Sequence, residues 1–496
     1  MNKRQIVSFT LLASLLLFSY IAVPITTNAQ NLTKDNSGGW EYIVKPIAVN
    51  FARYGGTGFL YNTVVELRNA YDLNPLYTGG YDGSGQTVVI VDAYGSPTIY
   101  QDLLSFIQLQ NTATYYGANL PWTTLADVQS HLHIIYPLGK PTFNIVAKEL
   151  SDPDSRSNKL IGWSEETTLD VCTVHAIAPG ANIDLVIAPD AGGNSLNLCV
   201  NYAITNHLGC VISQSYGIPE YLLHGNNGQI MQADKIYQLA AQSSYSITVF
   251  ASSGDGGATN GGPFNNALFP ASDPYVTGAG GTNLFMTRND GYEEGTGKWA
   301  NRDPGRTLPG VTYNYEIDGN DYEAMVADGY TPPYDAVTAG GAMSSLFALP
   351  SWQSGITLTD TNKITTTPTG RCTSDVSYDS GVYGGLGPIP YTAYPPLAGA
   401  YIIGGTSACS PFWAALTSIV CQYAGHNLGY INPSLYAYYF SGKAYTSGAF
   451  HDITLDDNTY PTGNTIRGYK ATTGWDAATG IGSPDANILV PIMAAW

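Results

Sequence analysis

Charged side chains are scarce in this 496-residue chain. Asp, Glu, Lys and Arg together make up 12% of the residues, which is about half of their usual share in globular proteins. Basic residues are the rarer kind, because Lys and Arg number 20 against 38 for Asp and Glu, giving a formal net charge of −18. Nucleic acids and anionic membrane surfaces are bound through basic patches, so this composition argues against both as partners.

Cysteine is also sparse, with six residues in the whole chain, which is too few for a disulfide-stabilised scaffold. Cys409 and Cys421 fall on one predicted helix, about 18 Å apart by the helical rise, so they cannot bond to each other. We nominate Cys199 and Cys210 as the candidate disulfide pair. Cys172 and Cys409 are interpreted as small buried apolar residues.

A long apolar run occurs only at the N-terminus. Residues 6–23 are predominantly apolar, follow Lys3 and Arg4, and precede a short segment that ends at Ala29. This pattern is typical of a signal peptide cleaved after Ala29, and we predict one at residues 1–29. The run is long for a signal peptide, so an uncleaved membrane anchor is the alternative. The first interpretation predicts a secreted, extracellular protein without stable membrane insertion after cleavage.

Glycine and tyrosine are abundant, with 55 and 37 residues respectively. Hydrophobic residues make up 44% of the chain, which is enough for a sizeable core. A neutral surface rich in tyrosine and hydroxyl groups suits acid, because ion pairs fail once carboxylates are protonated. The alternative is a compositional habit of the source lineage.

Alternating strand and helix patterns predict an α/β fold. Residues 87–92 form a continuous β-branched run of the kind that is buried in a parallel sheet. Helical patterns at 97–110 and 226–241 alternate with further strand patterns. We therefore predict a mainly parallel central sheet with helices on both faces. The polar region 284–400 is interpreted as loops and short strands packed on the same domain.

A serine lies in a glycine-rich turn before an apolar helix. Gly404 and Gly405 permit a sharp turn, Ser407 follows it, and Pro411 suits the first turn of a helix over the apolar residues 412–420. The N-terminus of a helix favours negative charge, as an acyl-transfer nucleophile requires when its oxyanion develops. The alternative is a serine that only caps the helix.

Polar side chains gather where predicted strands end. Asp92, Asp255 and the segment Ser213–Gly217 all follow strand patterns, and ligands collect at the carboxyl ends of parallel strands. Each aspartate taken alone is equally well explained as a turn residue.

A second carboxylate pair lies on a predicted helix capped by Ser164. Glu166 and Asp170 are four residues apart and therefore share one helix face. Two close carboxyl groups raise one pKa and can share a proton. The alternative is a solvated acidic first turn of the helix.

Several motifs together resemble the sedolisins, the serine-carboxyl peptidases with a subtilisin-like fold. The resemblance runs from about Leu67 to the C-terminus and rests on motifs in the family's order. They are Leu67-Arg68 with Ala70-Tyr71, Gly85-Gln86 to Gly95, Glu166-x-x-x-Asp170 with Ala178-Pro179-Gly180-Ala181, Ser252-Ser253-Gly254-Asp255-Gly256, and Gly405-Thr406-Ser407. Subtilisins need a histidine base in a His-Gly-Thr-His type motif, which this sequence lacks.

The resemblance implies four catalytic residues. Ser407 is the nucleophile and Glu166 is the general base. Asp170 orients Glu166 and shares its proton. Asp255 takes the position in the oxyanion hole that an amide side chain holds in subtilisins. A carboxyl group can donate a hydrogen bond only when it is protonated, and a free Glu titrates at about 4.3, so an acid optimum follows. Asp92 receives a supporting role.

The segment Ser213–Gly217 resembles the edge that pairs with the main chain of the substrate. The resemblance also implies one structural Ca²⁺ in the C-terminal region. Its ligands would be the side chains of Asp452 and Asp476 and the carbonyl groups of Ile453, Thr472 and Gly474. Hard oxygen ligands of this kind suit calcium. The spacing alone would favour two acidic turns, and the family usually has glycine at the position of Thr472, where only the carbonyl group is needed.

We therefore expect a secreted acid endopeptidase of the sedolisin type that acts on polypeptides as a monomer. The expected domains are a short N-terminal segment at 30–60 and a peptidase domain at 61–496 with its calcium site in 450–480. The segment at 30–60 is interpreted as a reduced prosegment, the alternative being a protein that folds without one. The functional alternatives are a non-catalytic exported binding protein, a tripeptidyl-peptidase and a classical subtilisin.

Overall fold

The computed structural model describes residues 41–42, 47–50, 61–112, 114, 117–144, 156–225, 227–287, 312–320, 338–382, 384–460 and 468–496. The predicted signal peptide at 1–29 and most of the segment at 30–60 lie outside these ranges. Within them, every helix is too short or too polar to cross a membrane. The predicted division into domains remains a prediction.

The strands of the described residues range from two-residue ladders to an eleven-residue strand. In chain order they are β1 (Ile47–Asn50), β2 (Thr87–Ala93), β3 (Leu132–Ile135), β4 (Asn182–Ala188), β5 (Val211–Gln214), β6 (Ile218–Pro219), β7 (Thr248–Ser252), β8 (Leu268–Phe269), β9 (Thr277–Thr287), β10 (Thr312–Asp318), β11 (Met343–Ala348), β12 (Leu358–Thr359), β13 (Thr365–Thr366), β14 (Gly370–Cys372), β15 (Val376–Asp379), β16 (Ile389–Tyr391), β17 (Gly399–Gly404), β18 (Phe450–His451) and β19 (Ser483–Pro484).

The helices alternate with the strands through the first half of the chain. In chain order they are α1 (Val64–Ala70), α2 (Asn74–Thr78), α3 (Ile99–Gln110), α4 (Leu125–His131), α5 (Arg156–Ile177), α6 (Gly193–Thr205), α7 (Asn227–Ala240), α8 (Cys409–Ala424), α9 (Asn432–Phe440), α10 (Lys443–Thr446) and α11 (Ala486–Met493).

The central sheet has the strand order β10-β9-β7-β5-β2-β4-β3, and β15 also pairs with β9. Its strands run parallel except β10, which is antiparallel to β9. The β-branched run that begins at Thr87 forms β2 at the centre of the sheet, in register with β4 along its whole length. Its residues are almost completely buried, as expected for a strand covered on both faces.

Helices cover both faces of this sheet. Helices α5, α8 and α3 form one packed group, because α5 contacts both of the others, whereas α6 packs on α7. Both α5 and α6 also contact the central strand β2, so the two groups lie on opposite faces. The mainly parallel sheet with helices on both faces, expected from the sequence, is therefore present.

The position of α5 requires a crossover connection of unusual handedness. Helix α5 joins β3 to β4 and so moves along the sheet in the same direction as α6 and α7, which join β4 to β5 and β5 to β7. It nevertheless lies on the face opposite to theirs. Since nearly all such crossovers are right-handed, the β3–α5–β4 unit is the left-handed exception. This connection brings α5 against α8.

Helix α5 begins earlier than the sequence predicts. Ser164 is not its N-cap, because the helix starts at Arg156 and Ser164 lies inside it. The Ser164 hydroxyl donates to the carbonyl oxygen of Ile161 and lies 2.6 Å from the Tyr391 hydroxyl. A serine inside a helix satisfies its hydroxyl in this way, which makes it resemble a cap in the sequence.

All six cysteines are buried thiols, and the nominated pair Cys199–Cys210 is not bonded. Cys199 lies on α6, on one face of the sheet. Cys210 precedes β5, and its thiol contacts Cys421 on α8, on the other face. Sequence proximity was a poor guide here because the sheet separates the two sulfur atoms.

Candidate active site

Ser407 lies in a tight turn between β17 and α8. Gly405 has φ of 122°, a conformation that glycine adopts without strain. A Cβ atom on Gly405 would lie 2.9 Å from the Asp255 carboxyl group, so this position also needs the missing side chain. A 3-10 turn at Thr406–Ala408 carries Ser407 directly into α8. Ser407 is not the N-cap, because Ala408 occupies that position.

Asp255 follows β7 and is fixed beside the serine turn. Its Oδ1 accepts hydrogen bonds from the Thr406 backbone N–H at 2.6 Å and from the Thr406 hydroxyl at 2.9 Å. The Thr406 hydroxyl oxygen accepts in turn from the Gly254 N–H at 3.0 Å. The alternative interpretation, a turn aspartate, predicts that Asp255 binds the backbone of its own turn. These hydrogen bonds instead come from Thr406, the residue before Ser407.

Glu166 and Asp170 lie one turn apart on α5, and both are fully buried. Burial raises the pKa of the Glu166 carboxyl well above its usual value, and the carboxyl groups of Asp92 and Asp255 raise it further. The Ser407 hydroxyl interacts with the same carboxyl and lowers its pKa. Neither Glu166 oxygen has a hydrogen bond of standard geometry within the described chain, so this contact is a loose one.

Ser215 joins Asp170 to the serine turn. Its hydroxyl donates to Asp170 Oδ1 at 2.8 Å and to the Ser407 carbonyl oxygen at 3.1 Å. Burial raises the pKa of Asp170, and the hydrogen bond from Ser215 opposes this rise. The sequence predicted only a substrate-pairing edge at Ser213–Gly217 and missed this contact. The available signal was a serine just beyond the end of a buried strand.

Asp92 completes a cluster of carboxyl groups. It is the penultimate residue of the central strand β2 and has no exposed surface. Burial raises its pKa to about 7, and the Thr167 hydroxyl opposes the rise. Its charge raises the pKa values of both Glu166 and Asp170. Interacting carboxyl groups of this kind titrate as a unit and hold shared protons in the range where free carboxyl groups are ionised.

A cleft opens beside Ser407 and Asp255. Its walls include residues Ser215, Tyr216 and Gly217 after β5, residues Gly254, Asp255 and Gly256 after β7, and Ser407 itself. The nucleophile candidate and Asp255 therefore face one cavity. Ser213, in contrast, does not line the cleft, because its hydroxyl lies 2.9 Å from that of Ser410 at the start of α8.

The predicted calcium ligands meet at one loop. Asp452 accepts from the Gly474 N–H at 3.0 Å, and Asp476 accepts from the Thr472 N–H at 2.9 Å. Burial raises the pKa of Asp476 to about 8, although hydrogen bonds from Thr472 and Thr479 oppose the rise. No group of three or more His, Cys, Asp or Glu side chains suited to a metal occurs in the described residues. Two carboxylates with nearby carbonyl groups fit Ca²⁺ in donor chemistry, and the ion remains a prediction.

Comparison with known proteins gives a consistent group of relatives, although no protein-family model matches the chain. Kumamolisin from Bacillus sp. (strain MN-32) is 28% identical over 428 residues, which cover 85% of this chain and 62% of kumamolisin. Sedolisin from Pseudomonas sp. (strain 101) is 28% identical over 302 residues, 60% of this chain and 42% of that protein. The chain thus spans less than two thirds of the length of either relative.

A third relative, tripeptidyl-peptidase 1 from Homo sapiens, is 25% identical over 349 residues, 64% of this chain and 50% of that protein. Among solved structures, Pseudomonas sedolisin, a serine-carboxyl proteinase in complex with pseudo-iodotyrostatin, superposes with a TM-score of 0.62 at 24% identity. The alignment covers 88% of this chain and 99% of that one, which confirms the predicted fold class. The sequence relatives and the shared fold together support the resemblance to the sedolisin family that the motifs indicated.

Proposed function

We propose that this protein is a secreted, acid-active serine-carboxyl peptidase that hydrolyses peptide bonds through an acyl-enzyme on Ser407. The observation that carries the proposal is the interaction of the Ser407 hydroxyl with the buried Glu166 carboxyl, beside the cleft that Ser407 shares with Asp255. A nucleophile within reach of a base and an oxyanion donor is the arrangement that acyl transfer requires.

In the first half of the reaction, the Ser407 Oγ attacks the carbonyl carbon of the substrate while Glu166 takes the hydroxyl proton. Ser215 holds Asp170 in place. Asp170 accepts a hydrogen bond from the proton that Glu166 has gained and so keeps Glu166 oriented. Asp255 in its protonated form donates a hydrogen bond to the oxyanion of the tetrahedral intermediate. The leaving amine then takes the proton from Glu166, and the acyl-enzyme remains.

In the second half, water enters the cleft and gives a proton to Glu166 as its oxygen attacks the ester carbonyl. The same donor on Asp255 stabilises the second oxyanion. Ser407 recovers its proton from Glu166 when the intermediate collapses, so the carboxyl cluster ends with the protons it had at the start.

This chemistry fixes the direction of the pH dependence. One carboxyl group must be ionised to act as a base while another stays protonated to act as a donor, and both conditions hold while the cluster keeps a shared proton. Burial and mutual repulsion raise the pKa values of Glu166 and Asp170, which keeps that proton bound above the range of free carboxyl groups. Activity should therefore be lost as rising pH removes the shared proton.

We propose endopeptidase action, with removal of N-terminal tripeptides as the alternative, because the relatives include proteins named as tripeptidyl-peptidases. We further propose that the protein acts as a monomer and that one Ca²⁺ stabilises the fold. Asp452 and Asp476 would bind the ion through their side chains, and Ile453, Thr472 and Gly474 through their carbonyl groups.

A digest tests the proposal. An unfolded protein is incubated with the enzyme between pH 2 and 7, and the peptides are identified by mass spectrometry. We expect internal cleavage in acid that Ser407→Ala abolishes, a loss of several orders of magnitude. Ser351→Ala, at an exposed serine, is the matched control and should leave the digest unchanged. Release of N-terminal tripeptides alone would select the exopeptidase alternative, and no cleavage at any pH would leave the non-catalytic binding protein.

A further inference from the structure

The thiols of Cys210 and Cys421 are in contact where α8, the helix that follows Ser407, packs on the central sheet. Cys210 immediately precedes β5 and is 4% exposed, and Cys421 lies near the end of α8 with no exposed surface. The Cys210 thiol also lies 3.7 Å from the Thr87 carbonyl oxygen. The pair therefore lies at the junction of the central sheet with the helix that follows Ser407.

The packing of α8 on β5 brings the two residues together. At one end of this contact, the Ser410 hydroxyl lies 2.9 Å from the Ser213 hydroxyl and accepts from the Gln214 N–H at 3.1 Å. From that point Cys421 is about 16 Å along the helix axis, and Cys210 is about 13 Å back along the strand. A helix and a strand that run antiparallel from one fixed point bring these two positions to the same level.

The region around both thiols is held firmly. The Cys210 N–H donates to the Thr87 carbonyl oxygen at 3.2 Å, and the Cys210 carbonyl oxygen accepts from the Thr248 N–H at 3.2 Å. Next to Cys421, the Gln422 side chain accepts from the Gly83 N–H at 2.8 Å and donates to the Gly80 carbonyl oxygen at 3.0 Å.

The two thiols are in contact with each other. This contact is the largest cause of the raised pKa of Cys210 and of the lowered pKa of Cys421. Either cysteine can react first in the unfolded chain, and the thiolate is the species that attacks a disulfide.

We propose that Cys210 and Cys421 are a redox pair that closes to a disulfide when the chain folds in the presence of a small-molecule disulfide. This bond would enclose about 210 residues and tie the active-site helix to the central strand. The remaining four cysteines stay reduced.

The chemistry balances with a disulfide as the oxidant. The thiolate of one of the two cysteines attacks one sulfur of the external disulfide, which forms a mixed disulfide and releases one thiol. The sulfur of the other cysteine then attacks the protein sulfur of that mixed disulfide and releases the second thiol. Two protons and two electrons pass from the protein to the external disulfide, which is reduced to two thiols. Since both cysteines are buried in the folded chain, the exchange takes place during folding.

Refolding followed by thiol counting tests the proposal without any assay of peptidase activity. The chain is refolded with oxidised glutathione, quenched in acid, denatured and alkylated with N-ethylmaleimide, and its mass is measured. We expect four alkylated thiols instead of six, and a peptide map with a cross-link from Cys210 to Cys421. Six alkylated thiols, or a cross-link that joins any other pair, would overturn the proposal.

Two variants and a melting measurement complete the test. Cys421→Ser should leave five alkylated thiols, whereas the matched control Cys199→Ser, at a buried cysteine on the other face of the sheet, should leave three. Reduction should lower the melting temperature of the oxidised wild type and of Cys199→Ser by about 5 °C, the effect of opening a long loop in a chain of this size. Equal melting with and without reductant would also contradict the bond. Because the oxidant is supplied in vitro, failure here leaves the proposed peptidase function and its secretion untouched.

Discussion

Replacement of Ser215 by alanine tests whether the carboxyl cluster controls the pH range of activity. The hydroxyl donates to Asp170 at 2.8 Å and to the Ser407 carbonyl oxygen at 3.1 Å, and the alanine variant lacks both hydrogen bonds. The bond to Asp170 favours the ionised carboxylate and so lowers its pKa. Its removal should therefore raise the pKa of the cluster, and the decline of activity on the alkaline side should move to higher pH.

The size of this effect follows from the type of bond. A hydrogen bond to a charged group contributes about 1.5–3 kcal/mol, which corresponds to about one to two pKa units at an isolated carboxyl. Since Asp92, Glu166 and Asp170 interact, the change is shared, and we expect the alkaline limb to shift by about 0.5 to 1 unit. The value of kcat should fall about tenfold, because the Ser407 backbone is held less firmly.

The measurement is the profile of kcat/KM from pH 2 to 8 for the wild type and two variants. Ser213→Ala is the matched control, since this buried serine contacts Ser410 and lies in the same segment. It should lower stability without moving the limb. An unshifted limb in Ser215→Ala, or an equal shift in both variants, would refute the link between the hydroxyl and the cluster.

Further predictions concern three aspartates. Asp255→Ala should lower kcat by about 10² to 10³, the usual effect of losing one oxyanion donor. Asp255→Asn should retain part of the activity and show a weaker decline at alkaline pH. If kcat per titrated active site were the same in the alanine variant and the wild type, the role of Asp255 would be contradicted. The fold raises the pKa of Asp92 from 3.8 to about 7. The protonated side chain therefore stabilises the folded state fully below about pH 4, and this stabilisation is lost as the pH rises to 7. The free energy of unfolding should fall over that interval by on the order of 4 kcal/mol. Asp92→Asn should flatten the melting temperature over that interval, and an unchanged slope would contradict the assignment. A calcium chelator should lower the melting temperature of the wild type but not of Asp452→Ala, and an insensitive wild type without bound metal would exclude the site.

Local patterns predicted the serine turn well because its determinants are neighbours in sequence. Gly405 provides the left-handed backbone, Pro411 fits the first turn of α8, and the apolar residues after it fill the core. The strand β2 and the spacing of Glu166 and Asp170 were accessible for the same reason. These features depend on residues within a few positions of each other.

Contacts between distant segments were beyond this reasoning. The hydrogen bond from Thr406 to Asp255 joins residues 151 positions apart, and that from Ser215 to Asp170 joins residues 45 apart. Their existence depends on which strands are neighbours in the sheet. The early start of α5 was missed because Ser164, just before the acidic residues, resembles a cap in the sequence although it lies inside the helix. The Cys199–Cys210 nomination failed because the sheet lies between the sulfur atoms.

The left-handed connection through α5 has a mechanical consequence. Because α5 and α8 touch directly on one face of the sheet, the distance between the base and the nucleophile is set by the contact of two helices. A change in the twist of the sheet would carry both helices together and leave that distance nearly unchanged. A single larger side chain at the contact between α5 and α8 would directly increase the distance between Glu166 and Ser407. The spacing of the site therefore depends on the side chains between α5 and α8 more than on the shape of the sheet.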